Sequence, residues 1–160
     1  ISFTMEETAK EQKKIYAKMA RLCSRSERCS ADVHKKITAE GIESELADEI
    51  IEKLIAGKFI DDERYVKAYV NDKFKFNQWG KIKMRHYLQA KGLSNEIIND
   101  GLETIDKEKY KKTLIKVMKT KAKTIKKKDK FEKMGQIIRF AQNRGFEPEL
   151  IHRYMDSVLS

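Results

Sequence analysis

Three groups of residues in this chain could do chemistry. Cys23, Cys29 and His34 are soft metal ligands close together in sequence. Their spacing follows no finger or knuckle pattern, and a structural zinc wants four ligands, so they read as reduced thiols beside a histidine. Asp61-Asp62-Glu63 is the one dense carboxylate cluster. Metal or acid–base work is conceivable there, but acids opening a helix against its positive end explain the cluster more simply. The third group is cationic. Lys112, Lys116, Lys119 and Lys123 recur at i, i+4, i+7 and i+11, one face of a helix, and Lys126, Lys127, Lys128 and Lys130 continue the run into an expected loop. The stretch lacks the usual carboxylate partners one turn away, so the lysines repel one another and an anion is expected beside them. A second basic set, Lys81, Lys83 and Arg85, follows Trp79. That pairing of cations with an aromatic suits a nucleic acid, although Trp79 could equally cap an apolar core.

Other chemistry finds no residues to carry it. There is no phosphate-binding glycine loop, Gly-x-Ser-x-Gly elbow or His-Glu-x-x-His pair. His34, His86 and His152 have no candidate nucleophile next to them. Neither a cofactor nor a catalytic activity is therefore expected.

The charge is concentrated. Of 160 residues, 35 are Lys or Arg and 25 are Asp or Glu, for a formal net charge of +10. Residues 107–133 hold thirteen lysines against Glu108, Asp129 and Glu132, which is the whole excess; everything else balances. Residues 73–95 add a local imbalance, with no carboxylate and with Phe74, Phe76, Trp79 and Tyr87 interleaved among the cations. Such a surface favours a polyanion. No apolar run is long enough to span a bilayer and no secretory leader is visible, so a cytoplasmic location is expected.

The elements that must position these residues are helices. Tyr110, Leu114, Val117 and Met118 follow the spacing of one buried helix face, as do Ile50, Ile51, Leu54 and Ile55. Strand-like alternation is almost absent. The chain also repeats itself: Ala39-Glu40-Gly41-Ile42, Ala90-Lys91-Gly92-Leu93 and Asn143-Arg144-Gly145-Phe146 lie 51 and 53 residues apart. Apolar positions stay in register around them, with Val33, Met84 and Ile137 upstream, then Ile51, Leu102 and Met155, then Leu54, Ile105 and Val158. Each Gly predicts a left-handed helix end, while Ser94 and Pro148 mark the starts that follow. Thr8-x-x-Glu11, Asp61-Asp62 and Asp106 open the preceding helices.

The fold class is thus all-α, an elongated tandem array of three three-helix modules of about fifty residues each. Residues 1–7 are expected to be a disordered N-terminus or a trimmed remnant, 8–60 the first module, 61–105 the second, and 106–160 the third. The third has eight extra residues before its Gly, expected in its first helix or the loop after it.

Two motifs give the pattern a family likeness. Phe59-Ile60-Asp61-Asp62-Glu63-Arg64-Tyr65-Val66-x-x-Tyr69-Val70 resembles the Asp-Asp-x-Arg motif of the RecX family. Gly80-x-Ile82-x-Met84-x-x-Tyr87-Leu88-x-x-Lys91-Gly92-Leu93 is similar to that family's second motif, with Lys81 where Pro often follows the Gly. Asp32-Val33-x-x-Lys36-Ile37 resembles a third, upstream element, with Asp32 for Glu and Ile37 for Leu, while Val66 stands for Ala in the first motif. The last 55 residues match by pattern rather than motif. The resemblance implies tandem three-helix modules and a bacterial regulator of homologous recombination within DNA repair and the SOS response. Such a regulator binds the RecA–single-stranded-DNA filament in its groove and restrains ATP hydrolysis, strand exchange and co-protease activity.

Expected partners are then the RecA filament and DNA, single-stranded first and double-stranded second, met by a monomer with no membrane role. A plain helical protein that binds nucleic acid without sequence preference and without a RecA role is the alternative. Few Asn, Gln or Arg recur at positions suited to reading base edges, so sequence-specific binding is not expected.

Overall fold

The computed structural model describes residues 4–126 and 129–160. Among them are nine helices and no strand: α1 (Met5–Arg25), α2 (Ser30–Ala39), α3 (Ser44–Ala56), α4 (Asp62–Asn77), α5 (Lys81–Ala90), α6 (Asn95–Leu102), α7 (Lys107–Thr124), α8 (Lys130–Asn143) and α9 (Pro148–Leu159). None is long and apolar enough to cross a membrane. The chain divides into two compact units, Ile1–Ala68 and Tyr69–Ser160, with the division inside α4.

The repeat register survives in three dimensions. Val33, Met84 and Ile137 are all fully buried, and so are Ala47, Ile98 and Ile151, the matching positions after each Gly. Gly41, Gly92 and Gly145 stand two residues beyond α2, α5 and α8 with φ of 92°, 81° and 94°, the left-handed region. Beyond α5, Gly92 N–H donates to Gln89 C=O and Leu93 N–H to Leu88 C=O; beyond α8, Gly145 donates to Gln142 and Phe146 to Ala141. These paired bonds close the orphan carbonyls of a helix end. Lys58 (φ 62°) and Gln78 (φ 55°) do the same after α3 and α4 without being glycine.

One start signal shifts. α1 begins at Met5, not Thr8: Thr4 Oγ1 accepts from Glu7 N–H, Glu7 Oε2 accepts from Thr4 N–H, and the capping box sits one turn earlier. Residues 4–7 therefore form the cap and first turn of α1, where a disordered or trimmed N-terminus was expected over 1–7; residues 1–3 lie outside the described residues. Both Thr-x-x-Glu quartets are chemically able to cap, and the earlier one wins because it adds a turn of helix. The eight extra residues of the last triplet also spread out: α7 is two residues longer than α4, the stretch after it two longer, and α8 four longer than α5.

In the first unit, Ile15, Met19, Val33, Ile37, Ile50 and Leu54 form the centre of one core, with Tyr16 edge-on to Phe59 at its margin. The Asp-Asp-x-Arg residues hold this unit together. Asp61 Oδ1 accepts from Arg64 N–H at 3.1 Å and so caps α4. Asp62 accepts from both Ser30 N–H (2.8 Å) and Ser30 Oγ–H (2.6 Å), anchoring the first turn of α2. Arg64 spans Glu27 (2.6 Å) and the carbonyls of Lys58 and Phe59, the turn after α3. The carboxylates do stand at helix starts, but Asp62 works on α2 rather than on its own helix.

The second unit is joined by a backbone seam. Gly80 N–H donates to Arg144 C=O (2.6 Å), Ile82 N–H to Gly145 C=O (2.9 Å), and between them Lys81 N–H donates to the Tyr110 hydroxyl (2.9 Å). The unsatisfied donors at the start of α5 thus meet the unsatisfied acceptors at the end of α8. A β-carbon on Gly80 would collide with the Gly145 carbonyl, and one on Gly145 would collide with Lys83. Tyr110 is buried, ring-packed between Phe74 and Phe146, and its O–H donates to the Glu147 carboxylate.

Two predictions follow from the seam. Gly41→Ala and Gly92→Ala, where a β-carbon meets open space, should each cost about 1 kcal/mol for the left-handed φ. Gly80→Ala, at an undemanding φ of −82°, isolates the collision and should cost ~2–3 kcal/mol, with Gly145→Ala higher still. Urea midpoints rank the four, and a Gly80→Ala midpoint equal to wild type would disprove the seam. Burial first, then the Glu147 hydrogen bond, raises the Tyr110 phenol above its ordinary value near 10. An unfolded chain therefore releases this proton before the folded one does. Its stabilising contribution is complete below pH ~10 and declines above it, by about 1.4 kcal/mol per pH unit. Tyr110→Phe should be less stable at neutral pH and should lose that part of the alkaline slope.

Candidate nucleic-acid interface

The cationic face is built by α7. Asp106 caps the helix, its Oδ2 accepting from Lys109 N–H at 3.0 Å. Tyr110, Leu114, Val117, Met118 and Ala122 turn inward, which leaves Lys112, Lys116, Lys119 and Lys123 exposed on the other side. The core periodicity dictates this placement. Lys126, in the coil after α7, and Lys130, the first residue of α8, are also exposed, whereas Lys127 and Lys128 lie outside the described residues. None of these six described lysines is in an ion pair among the described residues. Glu108 does stand one turn before Lys112, a carboxylate at the usual spacing, but the two do not pair. Repulsion along the face is partly offset where Lys121 and Lys123 meet the negative end of the helix. Lys111 and Lys121 are used differently: their ammonium groups lie over the rings of Tyr154 (5.2 Å) and Phe140 (5.2 Å).

The second predicted set is split by the fold. Trp79 and Lys83 come together, with Lys83 Nζ 4.5 Å from the Trp79 ring centre. Lys81 turns instead toward Tyr110, 5.0 Å from that ring. Arg85 is half-buried and donates to the Asn99 side chain, tying α5 to α6. Lys81 and Arg85 therefore have structural work to do.

Two members of the cluster lie in the basic, aromatic stretch 73–95 but outside the predicted site set. Lys73 Nζ sits 4.9 Å from the Trp79 ring and 5.6 Å from that of Tyr69. Tyr87 stacks on Trp79, with centroids 5.2 Å apart and planes 26° from parallel. The available signal was helical spacing: Lys83 and Tyr87 are four residues apart on α5, and Tyr69 and Lys73 four apart on α4. Beyond the cluster, Lys83 Nζ donates to Asn143 C=O (3.3 Å), and the Arg144 guanidinium donates to Asn77 C=O and covers Phe140. A shallow depression of about 210 Å³ beside it is lined by Lys121, Gln136, Arg139, Phe140 and Asn143.

No three His, Cys, Asp or Glu side chains gather as a metal would need among the described residues. Cys23 and Cys29 are buried and not joined in a disulfide. Burial pushes the Cys23 thiol above its ordinary value, so it carries little nucleophilic thiolate.

Comparison with known proteins agrees with this architecture. Residues 61–102, which cover α4, α5 and α6, match the RecX second three-helix domain. The chain is 28% identical over 137 residues to the regulatory protein RecX of Clostridium tetani, covering 84% of this chain and 62% of that one. To the Clostridium perfringens (strain SM101) protein of the same name it is 28% identical over 146 residues, 89% and 68% of the two chains. This sequence thus spans about two thirds of the length of those relatives. A crystal structure of RecX from Lactobacillus salivarius superposes with a TM-score of 0.86 at 21% identity, covering 94% of this chain and 97% of that one. Another structure of a regulatory protein RecX gives 0.84 at 20% identity, with 98% and 79% covered. Helix order, repeat register, motif residues and relatives all point one way, to the RecX family.

Proposed function

We propose that this chain is a non-enzymatic regulator of homologous recombination that binds the RecA–single-stranded-DNA filament and inhibits its ATPase, strand exchange and co-protease activities. Non-specific DNA binding is auxiliary to that role. The observation that carries the reading is the unpaired lysine face of α7, displayed by a fold of the RecX family. Lys112, Lys116, Lys119 and Lys123 give it a row of charges spaced along one helix, continued by Lys126 and Lys130. Trp79, just before α5, and Lys83, on α5, add a second point of contact. A filament repeats its surface, so several weak contacts on one chain reinforce one another through effective concentration. The three-module division at 60/61 and 105/106 belongs to this reading, as does a monomeric state, with each module offering its own face.

The direct test is RecA's DNA-dependent ATPase with substoichiometric amounts of this protein. The rate should fall, with no turnover by the protein itself. An unchanged RecA rate alongside tight DNA binding would favour the plain nucleic-acid binder instead.

Salt dependence tests the lysine face separately. If the face neutralises about six phosphates, log affinity for single-stranded DNA should fall against log salt with a slope near roughly −4. Changing Lys112, Lys116, Lys119 and Lys123 together to Gln should flatten that slope by about 3, with the unfolding midpoint nearly unchanged because all four are exposed. A filament regulator should keep part of its ATPase inhibition in this mutant, whereas a plain DNA binder should lose both effects in step.

A further inference from the structure

The Trp79 cluster has a geometry that charge alone does not require. Trp79 and Tyr87 form a two-ring stack. Lys73 and Lys83 are both within 5 Å of the Trp79 ring centre. The inner ring is half-buried, but Tyr87 remains 46% exposed, so the stack presents an aromatic surface to solvent. Phe76, 72% exposed, lies seven residues after Tyr69 and three after Lys73 on the same face of α4. Single exposed aromatics are ordinary on protein surfaces. A stack with two ammonium groups against it, in a stretch of 23 residues (73–95) without a carboxylate, is a different object.

From this we infer that Tyr87 is a stacking platform for an unpaired base of a single-stranded nucleic acid, backed by Trp79, with Lys73 and Lys83 holding the adjacent phosphates. The inference rests on the nucleic-acid part of the proposed function and deepens it by naming the strand type and the ring. A flat π-face accepts any base, which fits binding without sequence preference. Bases in a duplex are paired and stacked on each other, so this platform cannot use them. Asp and Glu side chains could satisfy the two lysines but offer no aromatic ring to extend the stack.

Trp79 is the only tryptophan in the chain, so its fluorescence reports on this site alone. The full chain is titrated with an oligothymidylate, with an abasic strand of equal phosphate number, with a duplex and with polyglutamate. The thymidine strand should quench Trp79 and bind roughly tenfold tighter than the abasic strand, the worth of one stacked base. Tyr87→Ala should bring the two strands to the same affinity, Tyr87→Phe should preserve the difference, and duplex affinity should be the same in all three proteins. Lys83→Gln should weaken both strands alike and flatten the salt slope by about 0.7. Equal affinity for the two strands in the wild type, or a difference that survives Tyr87→Ala, overturns the platform and leaves the RecA reading standing. Quenching by polyglutamate as strong as by the thymidine strand assigns the cluster to an acidic protein partner. Binding to neither strand overturns the nucleic-acid reading itself, and the platform with it.

Discussion

The second unit is organised around the place where the backbone of Gly80 meets the backbone of Gly145. A helix start leaves amide donors without partners, and a helix end leaves carbonyl acceptors. Here the start of α5 and the end of α8 serve one another, with Tyr110 supplying a hydroxyl to the Lys81 amide that falls between. Such an approach needs two residues without β-carbons, and both are glycine. In this chain the Lys81 amide adds a bond to the Tyr110 hydroxyl that a proline at that position could not make.

Several basic and aromatic side chains of the candidate interface take their positions from that seam. Tyr110 points inward as the first buried residue of α7, so the same helix must show Lys112, Lys116, Lys119 and Lys123 to solvent. Lys83 immediately follows the seam and sits against both the Gly145 backbone and the Trp79 ring. Arg144, whose carbonyl takes the Gly80 amide, sends its guanidinium to Asn77 and Phe140. The basic and aromatic residues of this region are therefore held by the contacts that close the unit.

The first unit solves a similar problem with side chains. Asp62 closes the first turn of α2, Asp61 closes that of α4, and Arg64 closes the turn after α3. A motif that could be mistaken for a metal or acid–base centre is a set of helix-end clasps. Charge-assisted hydrogen bonds of this kind are directional as well as strong.

Periodicity and local chemistry were enough to read much of this from the sequence. Helix identity, the three left-handed glycine ends, the Ser94 and Asp106 caps and the outward face of α7 each depend on residues within a turn or two of one another. The Thr8 start was misread for the same reason: two Thr-x-x-Glu quartets compete, and local pattern does not rank them. The lysine face was legible because a helix with one buried stripe has only one remaining side. Helix packing, by contrast, sets which residues meet across long separations: Gly80 with Gly145, Lys81 with Tyr110, and Asp62 with Ser30. It also divided Lys81, Lys83 and Arg85, adjacent on one short helix, among Tyr110, Trp79 and Asn99. A helix turns each successive residue by about 100°, so sequence sets the direction in which a side chain leaves its helix. What it finds there depends on the packing of other helices, which no local pattern encodes.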